Sequence, residues 1–282
     1  MAPRTSAPFS GETAVVTGAS RGIGAAIAVA LAAEGLRLVL VARSAGPLGA
    51  LAEALRARGA MVDVVVLDLT DPAAPETLRT HVERSGGPPF ALVNNAGTAV
   101  ARRLDRLPLD ALERQVAVNL LAPVRLTRTF LPGMLARGRG RFVHIGSGAA
   151  DFPAPRLLVY SMTKSALRAF SYGLDLEVRR RGVRSTVLEP IFVRTELGRQ
   201  EGEGEAPLER LKREHPRLVL EPEAVARAVV RSLYRPRRRV SVPVAWGAGR
   251  LVGLASGPLA RRPITLPPPR QDGEGRSWTP IG

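Results

Sequence analysis

The chain has 282 residues, 45% of them hydrophobic, and a mean hydropathy of +0.03, enough apolar material for one large soluble domain or two small ones. It contains no cysteine, which excludes disulfides, thiolate metal sites and cysteine nucleophiles and makes a reducing cytoplasm the unforced setting. The formal charge is +16, but its arginines are dispersed apart from short runs such as 179–181, 237–239 and 261–262, and no aromatic residues interleave with them as base-stacking platforms would, so a solvated surface outweighs a nucleic-acid face.

Residues 1–11 carry Arg4 but no apolar core of a signal peptide and read as a short leader, and no run approaches the ~18 apolar residues of a membrane span. The first informative segment is the β-branched run Ala14-Val15-Val16, too short for a helix, which leads into Thr17-Gly18-Ala19-Ser20-Arg21-Gly22-Ile23-Gly24. Behind it Ile23, Ile27, Ala30 and Leu31 recur at helical spacing, so the order is strand, glycine turn, helix. Such a turn lets backbone approach an anion closely, with free N–H groups and the positive end of the helix dipole facing it. A dinucleotide pyrophosphate is the natural ligand.

The alternation continues. Residues 37–41 predict a second strand, 48–58 a helix, 61–67 a third strand ending at Asp68, and Asp71-Pro72 opens another helix with an N-cap and a proline in its first turn. A fourth strand follows at 90–93. Near-continuous Val/Leu runs between amphipathic helices predict parallel strands buried on both faces, an α/β doubly wound sheet. Residues 108–135 carry one long helical pattern through Asn119 with Pro132 bending or ending it, and 141–145 predict a fifth strand that closes at Gly146-Ser147. After a proline-bearing loop at 151–156, residues 157–181 read as one helix and 183–188 as a sixth strand. Residues 190–220, rich in Gly, Glu and Pro, have the length of a substrate lid. A helix over Pro222–Tyr234 and a strand over 240–244 bring the count to about seven strands in a single domain over 12–262, and the Pro/Gly-rich 263–282 read as a disordered tail.

Tyr160-Ser161-Met162-Thr163-Lys164 places a phenol and an ammonium at i and i+4, on one helix face. A nearby positive charge favours phenolate, lowering the tyrosine pKa toward the range useful near neutrality and making Tyr160 a candidate general acid/base. Lysine occurs only at Lys164 and Lys212, so its position is informative. Ser147 follows the fifth strand, at the end of the sheet where open α/β folds bind ligands, and the loop beyond it can turn its hydroxyl toward Tyr160 to hydrogen-bond a substrate oxygen. A nucleophilic serine is the weaker reading, because His144 is one of the alternating strand residues and need not reach it. Asn119, inside a helical pattern, marks by itself a kink or a backbone hydrogen bond. No metal site is expected.

Thr17-Gly18-x-x-x-Gly22-Ile23-Gly24, Asn94-Asn95-Ala96-Gly97, Asn119, Ser147 and Tyr160-x-x-x-Lys164, in this order, resemble the short-chain dehydrogenase/reductase family over about residues 12 to 200. The resemblance implies a Rossmann-type domain with helices on both faces that binds NAD(P) through Gly18, Ser20, Arg21, Gly22, Ile23, Gly24, Asn95, Ala96 and Gly97, and a catalytic tetrad. In that tetrad Ser147 orients the substrate oxygen, Tyr160 passes the proton, Lys164 binds the nicotinamide ribose and lowers the tyrosine pKa, and Asn119 supports a water relay. Asp68 resembles the family's adenine-contacting acid, while Pro190, Val193 and Thr195 would lie near the nicotinamide carboxamide. Three departures stand out: Ile191 replaces the usual glycine after Pro190, His144 the usual asparagine, and Gly146 a second serine.

An NAD-type site needs a carboxylate near the end of the second strand to accept from the ribose hydroxyls, whereas this chain has Ala42-Arg43 there and Arg21 in the glycine loop. Two guanidiniums suit a 2′-phosphate, so NADP(H) is the expected cofactor. The retained Tyr, Lys and Ser weigh against a non-catalytic NADP sensor or scaffold. The expected substrate is a small-molecule carbonyl or alcohol of apolar, bulky character, because Ile191, Phe192 and Leu197 open the lid. Residues 240–259 are apolar apart from Arg250 and carry Trp246. They read either as a wall packed on the domain or, over 240–262, as a segment resting in an anionic membrane interface. A homo-oligomer, dimer or tetramer, is expected.

Overall fold

A computed structural model describes residues 8–84, 86–194 and 219–243. The strands are β1 (Thr13–Thr17), β2 (Arg37–Ala42), β3 (Val62–Val66), β4 (Ala91–Asn94), β5 (Gly140–Ile145), β6 (Val183–Pro190) and β7 (Arg239–Val242). All seven run parallel in the order β3-β2-β1-β4-β5-β6-β7. The order reverses direction between β1 and β4, and the carboxyl ends of these strands carry Thr17-Gly18 and Asn94-Asn95, the place where open α/β sheets bind ligands.

The helices are α1 (Gly22–Ala33), α2 (Ala45–Arg56), α3 (Ala74–Arg84), α4 (Leu109–Val116), α5 (Ala122–Ala136), α6 (Leu158–Val178) and α7 (Pro222–Tyr234). Side chains alternate along each strand, so one apolar run serves two cores. In β1 and β2, Ala14, Val16, Leu38 and Leu40 join Ile27, Leu31, Leu48, Val225 and Val229 on one face, with α1, α2 and α7. Val15, Val39 and Val41 join Leu78, Leu126, Phe130 and Leu174 on the other, with α3, α5 and α6. The doubly wound sheet expected from the pattern is the fold observed.

Two local expectations need correction. The helical pattern over 108–135 is not one helix bent at Pro132, because Pro132 lies inside α5. The interruption falls instead at Ala117–Leu121, where one wider π turn joins α4 to α5 with Asn119 fully buried in it. Residues 157–181 likewise form α6 followed by a 3₁₀ turn at Arg179–Arg181. Thr195, most of the lid assigned to 190–220, Trp246, the remainder of 240–262, the tail 263–282 and most of the leader lie outside the described residues. Among the described residues no helix is long and apolar enough to cross a membrane.

Candidate active site

The glycine turn is built almost without side chains. Gly18 and Gly22 hold φ of +64° and +56°, which L side chains rarely adopt, and a Cβ on Gly18 would come within 2.8 Å of Ala96 Cα. A Cβ on Gly24 would overlap the Gly18 carbonyl oxygen and lie 2.6 Å from Asn95 Nδ2. Asn95 braces the turn, its Nδ2 donating to the carbonyls of Thr17 at 2.9 Å and Gly18 at 3.1 Å. Thr17, to which the sequence reading assigned no role of its own, accepts at Oγ1 from the N–H groups of Asn95 at 3.0 Å and Ala96 at 3.1 Å, tying β1 to the Asn95-Ala96-Gly97 segment. Arg21 caps α1 in an extended conformation with no side-chain cap bond, and the first turn holds no acidic residue, so no carboxylate of that turn offsets the positive end of the helix. Ser20 is half-buried in this turn, and Ile23 packs partly on the core. A pyrophosphate fits this cradle on two counts, the close backbone approach and the unopposed helix dipole.

At the carboxyl ends of β2 and β3, the exposed Arg43 lies 3.9 Å from the Asp68 carboxylate. Asp68 is also held by Arg114 at 3.1 Å and by the backbone and hydroxyl of Thr70 at 3.0 and 2.9 Å. Burial pushes its carboxyl up, but the Thr70 hydrogen bonds and Arg114 outweigh that and hold it below its ordinary value. Arg114, on α4, carries no motif that would have singled it out.

The structure brings Ser147, Tyr160, Lys164 and Asn119 to the carboxyl end of β5. The sequence of α6 explains the presentation: Tyr160, Lys164, Leu167, Ser171, Leu174 and Val178 recur at helical spacing on its buried face, so phenol and ammonium point inward together. Ser147 caps a short 3₁₀ turn, Gly148–Ala150, its hydroxyl accepting from the Ala149 N–H at 3.1 Å and hydrogen-bonding Tyr160. Lys164 Nζ donates to the Ile145 carbonyl at 2.8 Å and stands 5.6 Å from the centroid of the Tyr160 ring. A Cβ on Gly97 would come within 3.3 Å of Asn119 Oδ1 and 3.6 Å of Lys164 Nζ, so the Asn95-Ala96-Gly97 segment packs directly on these two side chains.

Burial governs the charges here. It pulls Lys164 from its ordinary 10.5 down to about 8. It pushes the Tyr160 phenol up, with the Ser147 hydrogen bond acting in the opposite sense. The lowering of the tyrosine by Lys164 expected from the i, i+4 pair is therefore not the balance in this state: the ammonium is turned to Ile145, and desolvation outweighs the Ser147 hydrogen bond. Asn119 exchanges two hydrogen bonds with the Thr98 backbone, both at 2.8 Å, and donates to Thr163 Oγ1 at 3.2 Å, which in turn donates to the Tyr160 carbonyl at 2.7 Å. The π turn thus aims an amide across the helix pair. His144, fully buried beneath this group, lies 3.2 Å through Nδ1 from Asn94 Nδ2, and its Nε2 has no hydrogen-bond partner among the described residues. Burial, reinforced by the Lys164 charge, pulls its pKa from 6.5 to about 3, so it is neutral.

Pro190 ends β6, and Ile191 approaches Gly148 so closely that a Cβ there would meet Ile191 Cγ2 at 2.7 Å. Val193 is buried and pairs with Leu220. Among the described residues no group of His, Asp or Glu could hold a metal ion.

A family model described as short chain dehydrogenase matches residues 12–206. Glycine betaine reductase ATRR of Emericella nidulans is 36% identical over 236 residues, 84% of this chain but only 18% of that much longer protein. The 3-oxoacyl-(acyl-carrier-protein) reductase FabG of Escherichia coli is 34% identical over 191 residues, 68% of this chain and 77% of that protein. A solved short-chain dehydrogenase from Sphingobium yanoikuyae in complex with NADPH is 31% identical, with a TM-score of 0.74 over 87% of this chain and 96% of that chain. Motif order, sheet topology and these likenesses converge: the chain belongs to the short-chain dehydrogenase/reductase family of oxidoreductases.

Proposed function

We propose that the chain interconverts a carbonyl and a secondary alcohol on a bulky, apolar substrate, with NADP(H) as cofactor and Tyr160 as the acid/base. The observation that carries the reading is the buried hydroxyl pair Ser147 and Tyr160 with the Lys164 ammonium beside the phenol ring. In the reducing direction the substrate oxygen accepts hydrogen bonds from the Ser147 and Tyr160 hydroxyls, and Tyr160 passes its proton to that oxygen as negative charge develops there. The cofactor, when bound, supplies or accepts the hydride. Proton loss leaves a phenolate in a buried site, and the Lys164 charge offsets it, a need that is larger because burial alone raises the phenol. Lys164 would also hold the nicotinamide ribose, and Asn119 would support the proton relay while fixing the Thr98 backbone beneath it. Pro190, Val193 and Thr195 would line the nicotinamide end.

The preference for NADP(H) rests on Arg43 and Arg21 standing where an acidic residue would select NAD(H), and on the NADPH-bound relative. In this reading Arg43 turns from its 3.9 Å contact with Asp68 to a 2′-phosphate while Arg114 keeps the carboxylate neutralised. KM values for both cofactors test it: Arg43→Ala should raise the NADPH value about tenfold, the equivalent of roughly 1.4 kcal/mol, and leave NADH nearly unchanged. Equal use of both cofactors by the unmodified enzyme contradicts the assignment. Leu158, Met162, Tyr172 and Leu176, exposed at helical spacing along α6, support a homo-oligomer, which sedimentation would reveal.

A further inference from the structure

Two carboxylates and two guanidiniums sit behind the segment that carries Ser147. Asp151 ends that segment, Arg168 comes from α6, Glu189 from the end of β6 and Arg239 from the start of β7. Glu189 is only 1% exposed and stands immediately before Pro190. Arg168 pairs with Asp151 and lies 3.5 Å from Glu189 Oε1, and Arg239 pairs with both carboxylates. The four charges cancel, which matters because an uncompensated charge is expensive where Glu189 lies. Burial pushes the Glu189 carboxyl up, Arg239 and Arg168 pull it down, and Asp151 pushes it up again.

The segment in front is stiffly tied. The Asp151 N–H donates to the Gly148 carbonyl at 3.0 Å, and the Ala150 carbonyl accepts from Ser165 Oγ at 2.9 Å and Arg168 Nη2 at 3.1 Å. The Gly146 N–H donates to the Leu188 carbonyl at 2.7 Å, and Gly148 fits against Ile191. The Ser147 segment and residues 188–191 therefore meet along their backbones, and the four charged side chains join the same two segments from behind.

We propose that Asp151, Arg168, Glu189 and Arg239 form a positioning cluster that sets the Ser147 hydroxyl, and through it Tyr160, at a fixed distance from residues 190–193, so that turnover depends on Glu189 and Arg239 although neither touches substrate. The proposal rests on the assignment of Ser147 and Tyr160 to the reacting oxygen. It distinguishes position from charge, and two variants of the full chain separate them. Arg239→Met leaves the cluster one positive charge short. Glu189→Gln combined with Arg239→Met restores the balance through Asp151 and Arg168 but removes the tie to β6 and β7.

With benzil as the carbonyl probe, Arg239→Met should lower kcat by about 10- to 100-fold, the size of effect that a misplacement near 1 Å produces, with KM for NADPH changed less than about threefold. The double variant should recover the melting temperature but not kcat. Hydrogen–deuterium exchange in peptides covering 146–152 should accelerate in both variants, while peptides from α1 keep their rates. A double variant with the unmodified kcat, or unchanged exchange over 146–152, overturns the proposal. If the unmodified enzyme does not reduce benzil, that outcome counts against the substrate class proposed above, and the exchange result alone decides the cluster: faster exchange supports it and unchanged exchange overturns it.

Discussion

Replacing Lys164 by methionine should remove activity yet leave the cofactor-free protein as stable as the original or more so. The ammonium is 4% exposed and donates to one backbone carbonyl, and burial takes its pKa from 10.5 in the open chain to about 8 in the fold. Because the folded value is the lower one, the unfolded chain binds the proton more tightly. The fold therefore carries a penalty that is complete below about pH 8 and is relieved as pH rises toward 10.5. At about 1.4 kcal/mol per pKa step the penalty is roughly 3 kcal/mol at neutrality. Methionine keeps most of the volume and has no charge to desolvate, but it strands the Ile145 carbonyl, at a cost of about 1–3 kcal/mol. The net expectation at pH 7 is a change between zero and about 2 kcal/mol in favour of Lys164→Met, shrinking or reversing by pH 10.5. Urea unfolding at the two pH values measures it. A variant clearly less stable at pH 7, or a difference that does not move with pH, would refute the reasoning that Lys164 is held at the expense of stability for its chemistry.

His144 acts in the acid range. Its folded pKa of about 3 lies below the ordinary 6.5, so the stability it contributes is complete above 6.5 and is lost as pH falls through that window, about 3 kcal/mol by pH 4.5. His144→Asn should flatten the decline in melting temperature between pH 7 and 4.5, and an unchanged decline would show that other groups set it. Gly24→Ala should abolish NADPH binding measured by fluorescence, since its Cβ would overlap the Gly18 carbonyl, and retained binding would mean that the turn can open.

The doubly wound sheet was legible because both faces of each central strand are buried, which forces runs such as Leu38-Val39-Leu40-Val41 that no half-exposed strand would carry. The face of α6 was legible for the same reason, since helical spacing alone puts Tyr160 and Lys164 with Leu167 and Leu174. The π turn at Ala117–Leu121 was not, because an extra residue in one turn leaves the apolar periodicity nearly intact and the hydrogen bonds that Asn119 exchanges with the Thr98 backbone span 21 residues. Pairings among 39 arginines could not be read either. Nothing local distinguishes Arg239, which meets Asp151 and Glu189, from Arg237 two residues earlier. The direction of the Tyr160 shift depends on how completely the fold buries the phenol, a tertiary quantity that the i, i+4 spacing does not report.

The proposed chemistry depends most directly on the proton carried by Tyr160. Tyr160→Phe keeps the ring's packing and removes only the hydroxyl, so NADPH consumption with bulky apolar ketones should fall by at least about a thousandfold, within the span that proton transfer and oxyanion stabilisation supply together. NADPH binding, followed by fluorescence on the same preparation, should stay within about threefold, less than 0.7 kcal/mol. Turnover by Tyr160→Phe within tenfold of the unmodified enzyme, with binding intact, would contradict the assignment of Tyr160 and with it the mechanism.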